Sequence, residues 1–184
     1  MSAVAPDFLV RKLDKRFDML DADGSGYLEA ADFQSIARRF LAYFSVPDDN
    51  ERAQAVLSAY EELWTALSGA DADGDGRIVR QEFRDRLLSA DFQEGDAVEA
   101  TFGRVVAACN VITDVDGDGL ISYPEFRHLP GLAELTEDEC RSAFGRMDRD
   151  GDGGLSVEEI KRGVAEFYTS SDPDAPGNWM FGKV

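Results

Sequence analysis

The sequence predicts an all-α protein: four helix–loop–helix units in two pairs, packed into one compact unit, with short β-ladders between paired loops. Three observations predict it. A twelve-residue acidic pattern recurs four times, beginning at Asp21, Asp71, Asp114 and Asp148. Apolar residues at helical spacing flank every copy. Hydrophobic residues make up 43% of the 184, enough for a real core.

Taken in order, Leu9, Leu13, Phe17 and Leu20 form the apolar face of a first helix that runs into the loop 21–32. Phe33, Ile36, Phe40, Leu41 and Phe44 define the helix leaving it. The stretch SVPDDN (45–50) is a break, with Pro47 as the expected stop and Asp48 or Asp49 as the next N-cap. Ala53, Val56, Leu57, Tyr60, Leu63, Trp64 and Leu67 make a long stripe into the loop 71–82, and Phe83, Leu87 and Leu88 follow it. Val98, Phe102, Val105, Val106 and Cys109 lead into the loop 114–125. The next helix is short because LPGL (129–132) interrupts it. Thr136 and Glu139 read as a capping box for a helix carrying Cys140, Phe144 and Met147 into the loop 148–159. Ile160, Val164, Phe167 and Tyr168 line the last helix, giving eight in all. Residues 1–92 thus hold one pair of units, 93–169 the other, and 170–184 form a tail.

The four loops read DADGSGYLEAAD, DADGDGRIVRQE, DVDGDGLISYPE and DRDGDGGLSVEE. Ca2+ takes six to eight oxygens at about 2.3–2.6 Å, and a short loop supplies them when alternate side chains converge on one point. The first, third and fifth positions offer Asp21, Asp23 and Ser25; Asp71, Asp73 and Asp75; Asp114, Asp116 and Asp118; and Asp148, Asp150 and Asp152. The sixth is always glycine (Gly26, Gly76, Gly119, Gly153), which permits the left-handed turn around the ion. The seventh gives a backbone carbonyl, from Tyr27, Arg77, Leu120 or Gly154. The ninth acts directly or through water: Glu29, Ser122 and Ser156 carry oxygens, and Val79 does not. The twelfth closes the loop with Asp32, Glu82, Glu125 or Glu159. The eighth residues, Leu28, Ile78, Ile121 and Leu155, are placed to face each other across a two-stranded ladder. Four such loops in register between amphipathic helices are EF-hand loops, whereas one alone would read equally well as an Asx turn.

The net charge of −18 follows from these sites. Fifteen of the 37 acidic residues sit at the first, third, fifth and twelfth loop positions, and the remaining 22 nearly balance 19 basic ones. The charge argues against nucleic acid and anionic membrane surfaces as partners and suits a cation. No apolar run approaches a membrane span, and the N-terminal MSAVAPDFLVRKLDKRF lacks the core of a signal peptide, so a cytoplasmic monomer is expected. Cys109 and Cys140 lack metal-ligand spacing and read as reduced core thiols.

The sites are unequal. Glu at the twelfth position is long enough to give both oxygens to a large ion, and Asp32 is one methylene shorter. A tighter shell suits Mg2+, which prefers about 2.0–2.1 Å. Ser25 also removes a charge, so the first loop is expected to be weakest for Ca2+ and most tolerant of Mg2+, the alternative being a loop that is vestigial in use. Gly153-Gly154 adds flexibility to the fourth loop. The helix entering the third loop carries Asn110 and Thr113 where apolar residues are usual, so its core contacts are expected from Cys109, Val111 and Ile112.

Length, the uneven starts of the loops and the first loop's closure in an AADF context (Ala30 to Phe33) resemble the calerythrin and sarcoplasmic calcium-binding protein family. That resemblance implies a compact protein whose two EF-hand pairs face each other, acting as a calcium buffer with Mg2+ competing. It also implies that the tail PGNWMFGKV (176–184) folds back between the halves, which would cover Trp179, Met180 and Phe181, the alternative being an exposed partner-binding peptide. Three function classes remain. A buffer, binding up to four Ca2+, fits the aromatic rather than Met-rich stripes. A sensor would open on Ca2+ and regulate a protein target. A chromophore carrier or enzyme would need an acid–base constellation, and the single histidine, His128, has no partner at suitable spacing, so no enzymatic activity is expected.

Overall fold

The computed structural model describes residues 4–94, 96–129 and 135–182. Among them are nine α-helices: α1 (Val4–Leu20), α2 (Ala30–Tyr43), α3 (Glu51–Leu67), α4 (Arg80–Leu88), α5 (Ala90–Gln93), α6 (Ala97–Thr113), α7 (Tyr123–Phe126), α8 (Glu137–Met147) and α9 (Val157–Thr169). Two antiparallel ladders join the loops in pairs. In the first, β1 (Tyr27–Leu28) pairs with β2 (Ile78–Val79), Leu28 opposite Ile78. In the second, β3 (Ile121–Ser122) pairs with β4 (Gly154–Leu155), Ile121 opposite Leu155. All four of these apolar residues are buried, as their shared position in the repeat predicts.

Helix ends follow local chemistry. Thr136 and Glu139 do form a reciprocal capping box at α8, the Thr136 amide donating to the Glu139 carboxylate at 3.0 Å. The α2–α3 junction differs from expectation. Helix α2 stops before Pro47: Ser45 takes a left-handed φ of 55°, and the Ser45 and Val46 amides donate back to Ala42 and Leu41. The N-cap of α3 is Asn50, whose Oδ1 accepts from the Arg52 amide at 2.8 Å, rather than Asp48 or Asp49.

The largest apolar cluster runs from Leu9, Phe17 and Phe33 through Leu63 and Phe83 to Phe102, Phe167 and Tyr168, and so draws on both halves of the chain. Helix α3 packs on α6, and α1 on α4 and α9. Phe102 stacks on Tyr168 at 4.2 Å, with Phe92 edge-on to both. That contact explains α5, a ninth helix not expected from the sequence: a single turn places Phe92 against its two aromatic partners. A second cluster (Ile121, Phe126, Cys140, Phe144, Met147, Leu155, Ile160) lies between the third and fourth loops.

Two apolar assignments need correction. Val111 is 49% exposed, and the core contact before the third loop comes from Ile112 and Cys109, as expected, together with buried Thr113. Thr113 lies inside at little cost because its hydroxyl donates to the Cys109 carbonyl at 3.0 Å. Leu88 is 38% exposed at the end of its helix. The break at LPGL falls largely outside the described residues, although α7 does stop at Phe126.

Candidate metal sites

Each loop enters its site from the end of one helix and leaves it at the start of the next. The first-position aspartates act as the hub. Asp71 accepts from the amides of Gly74 and Gly76 at 2.7 and 2.9 Å, Asp114 from Gly117 and Gly119 at 2.7 and 3.0 Å, and Asp148 from Gly151 and Gly153 at 2.8 and 3.1 Å. In the first loop Asp21 accepts from Ser25 and Gly26, both at 2.9 Å. The Gly76 amide above all, together with the Gly74 amide and against some desolvation, holds the Asp71 carboxyl below the usual carboxylate range.

These turns need two left-handed residues per loop. The sixth-position glycines have φ of 82–92°, and the fourth-position glycines Gly24, Gly74, Gly117 and Gly151 have φ of 73–76°. The second set was overlooked in the sequence reading, although its signal, a glycine at the fourth place of every copy, is plain.

The closing carboxylates straddle their loops. Glu82 takes the amides of Ala72 and Val79 at 3.0 and 2.9 Å, Glu125 those of Val115 and Ser122 at 2.7 and 2.8 Å, and Glu159 those of Arg149 and Ser156 at 2.8 and 2.9 Å. Asp32, despite its shorter arm, takes the equivalent amides of Ala22 and Glu29 at 3.0 and 2.9 Å. It is drawn in further to do so and is only 3% exposed. Burial alone would raise the Glu125 and Glu159 carboxyls, but the serine and backbone hydrogen bonds hold both below the ordinary value.

In every loop three carboxylates bring an oxygen within 4.8 Å of one another: Asp21, Asp23 and Asp32; Asp71, Asp73 and Glu82; Asp114, Asp116 and Asp118; and Asp148, Asp150 and Glu159. Oxygens on opposite sides of a Ca2+ ion lie about 4.6–5.2 Å apart, so hard oxygen donors at this spacing fit the ion. Asp75 and Asp152 turn an oxygen to the amides of Arg77 and Gly154, and the Ser25 hydroxyl donates to the Tyr27 carbonyl at 3.0 Å. Val79 is turned outward, whereas the Ser122 and Ser156 hydroxyls donate to their closing glutamates. Gly154 has a packing reason rather than a purely flexible one: a Cβ there would lie 2.8 Å from the Leu120 side chain across the ladder. The Arg77 guanidinium lies 4.3 Å from the Tyr27 ring centre, a second link between the first two loops.

Two features were not anticipated from the sequence. Lys12 is buried, its Nζ donating to the Glu166 and Ser170 carbonyls at 3.2 and 2.6 Å and to Asn178 Oδ1 at 2.9 Å. Arg149 pairs with Glu166. Elsewhere, Cys109 and Cys140 are free thiols, burial pushing Cys109 up to about 12, and His128 is exposed. Among the described residues no helix is long and apolar enough to cross a membrane.

Paired helix–loop–helix units with convergent carboxylates define an EF-hand protein. Residues 10–88 match the EF-hand domain pair model, and residues 113–130 and 141–165 match the EF hand model. Calerythrin of Saccharopolyspora erythraea is 30% identical over 91% of this chain and 93% of its own. Sarcoplasmic calcium-binding protein 1 of Astacus leptodactylus is 27% identical over 90% of this chain and 91% of its own. A Streptomyces coelicolor calcium-binding protein, whose structure is described as a structural basis for prokaryotic calcium-mediated regulation by that protein, superposes with a TM-score of 0.74 at 34% identity, over 88% of this chain and 98% of that one. The coelenterazine-binding protein of Renilla muelleri shares the fold at 22% identity, with a TM-score of 0.70 over the whole of both chains. The chain belongs to the calerythrin and sarcoplasmic calcium-binding protein family, and it is a calcium-binding EF-hand protein.

Proposed function

We propose that this protein is an intracellular Ca2+/Mg2+ buffer. One observation carries the reading: the interior that a sensor would open to a target is filled by the chain's own aromatic side chains. Phe102 stacks on Tyr168, Phe167 meets Phe181 at 4.8 Å, and Trp179 and Met180 pack against the second cluster. The ligands are those of the four loops: the first-, third- and fifth-position side chains, the seventh-position carbonyls, Glu29, Ser122 and Ser156 at the ninth, and Asp32, Glu82, Glu125 and Glu159 at the close. Each pair, 1–92 and 93–169, works as part of one monomeric unit with the tail docked between them, in the cytoplasm and with no catalytic role. Asp32 makes the first loop the most Mg2+-tolerant. The second reading, a sensor acting on a protein target, draws support from the description of the Streptomyces relative.

Calorimetric Ca2+ titration with and without millimolar Mg2+ separates the two. A buffer shows tight Ca2+ binding weakened by Mg2+, with the first loop lost or slowed. Four micromolar sites indifferent to Mg2+, together with apolar dye binding on Ca2+ addition, would replace the buffer with a sensor.

A further inference from the structure

The second loop position is Ala22, Ala72 and Val115 in the first three loops and Arg149 in the fourth. The exception is wired to the chain's end. The Arg149 amide donates to the closing carboxylate Glu159, and its guanidinium meets Glu166 Oε1 at 2.5 Å. The other Glu166 oxygen accepts from the Gly177 amide at 3.0 Å. The Arg149 and Glu166 side chains are only 27% and 22% exposed, so the pair is less screened than a surface ion pair. Gly177 lies so close to α9 that a Cβ on it would fall 2.1 Å from the Gly163 carbonyl oxygen. Beyond it Asn178 is held by Lys12, and Trp179 and Met180 cover the cluster containing Met147, Leu155 and Ile160. The geometry that gathers the fourth loop's oxygens is therefore the geometry in which the tail is seated.

We propose that Arg149, Glu166 and Gly177 form a relay that makes the tail segment 175–181 a working part of the fourth site: ion binding in that loop and docking of the tail reinforce each other. The inference rests on the reading of loop 148–159 as an ion site. Neither Arg149 nor Glu166 needs to touch the ion. Glu166 orients Arg149, whose amide positions Glu159, and the same carboxylate anchors the tail. Coupling between two sites is reciprocal, so a change made at either end must be read at the other.

The amides of Gly76, Gly119 and Gly153 each donate to the first aspartate of their own loop, which makes them separate NMR reporters of ion occupancy. Gly177→Ala disturbs the tail without altering any charge or loop residue. Glu166→Gln removes the ion pair with little change of shape. Each is expected to lower the Ca2+ affinity reported by Gly153 about tenfold, within the usual range of coupling, and to leave that reported by Gly76 unchanged. In the reverse direction, Glu159→Gln in the presence of Ca2+ is expected to speed hydrogen exchange of the Gly177 amide about tenfold, the reciprocal of the same coupling. Tail amides that lose protection in Gly177→Ala while the Gly153 titration stays put would overturn the relay. If Gly177→Ala fails the far-UV circular dichroism check for folding, Glu166→Gln decides alone. Failure of the wild-type Gly153 signal to respond to Ca2+ at all would instead remove the ion-site reading beneath it, a different and recognisable result.

Discussion

Replacing Lys12 by Met tests how the N-terminal helix is locked to the tail. The ammonium is buried, and it donates to two carbonyls at the end of α9 and to Asn178 Oδ1. Without it the partly buried Ser170 carbonyl and the buried Asn178 Oδ1 lose the donor they share, at about 1–3 kcal/mol for an acceptor left out of water. Relief of a buried charge offsets part of that, so a net loss of about 2–3 kcal/mol is expected at pH 7. The pH dependence is sharper. Burial lowers the Lys12 pKa from 10.5 to about 8, against the opposing pull of the Glu166 carboxylate. The folded value lies below the unfolded one, so between pH 8 and 10.5 the unfolded chain binds more protons and stability rises with pH. At full burial the difference amounts to about 3.4 kcal/mol. Two of its three acceptors, the Glu166 and Ser170 carbonyls, are only partly buried, and screening reduces the expected gain to about 1–2 kcal/mol. Urea unfolding of the Ca2+-loaded protein across pH 7–10.5 measures it. The gap between wild type and Lys12→Met should widen as pH rises through 8. Parallel pH profiles would refute the argument, because the ammonium would then be no more costly in the fold than in water.

Two further substitutions probe the sites and the core. Asp32→Glu lengthens the closing arm of the first loop, so its Ca2+ affinity should rise about tenfold, or about 1.4 kcal/mol, while Mg2+ competition falls. Calorimetry against both ions checks this, and an unchanged preference would mean that the closing residue does not set ion size. Phe102→Ala removes the ring stacked on Tyr168 and should cost about 3–5 kcal/mol in a single thermal transition. Two separate transitions would show instead that the EF-hand pairs melt independently.

The loops were legible because a hard cation imposes a residue type at nearly every place in twelve, and the chain repeats that code four times. Register along the ladders followed from the same code: Leu28, Ile78, Ile121 and Leu155 pair where their shared position puts them. The capping box of Thr136 and Glu139 was readable because both partners lie within one turn. The misses have separate causes. Val111 lies off the period that runs through Phe102, Val105 and Cys109 to Ile112, and it is exposed. Leu88 sits at helical spacing but is the last residue of its helix, and it is exposed too. Phe92 lay in a stretch too short to show a period, and its partners are distant in sequence.

By itself, then, the sequence determined what is local: oxygen donors at fixed offsets, glycines where the backbone must turn left-handed, and the stripes that make each loop an exit from one helix and an entrance to another. Only the tertiary structure decided what joins residues far apart. It buried Lys12 against Asn178, stacked Phe102 on Tyr168, and brought Glu166 between Arg149 and Gly177. None of these residues is unusual for its own stretch of chain. Each acquires its role when α9 packs against α1, α6 and the tail at once, because that packing shields the polar groups from water and brings them within reach of one another.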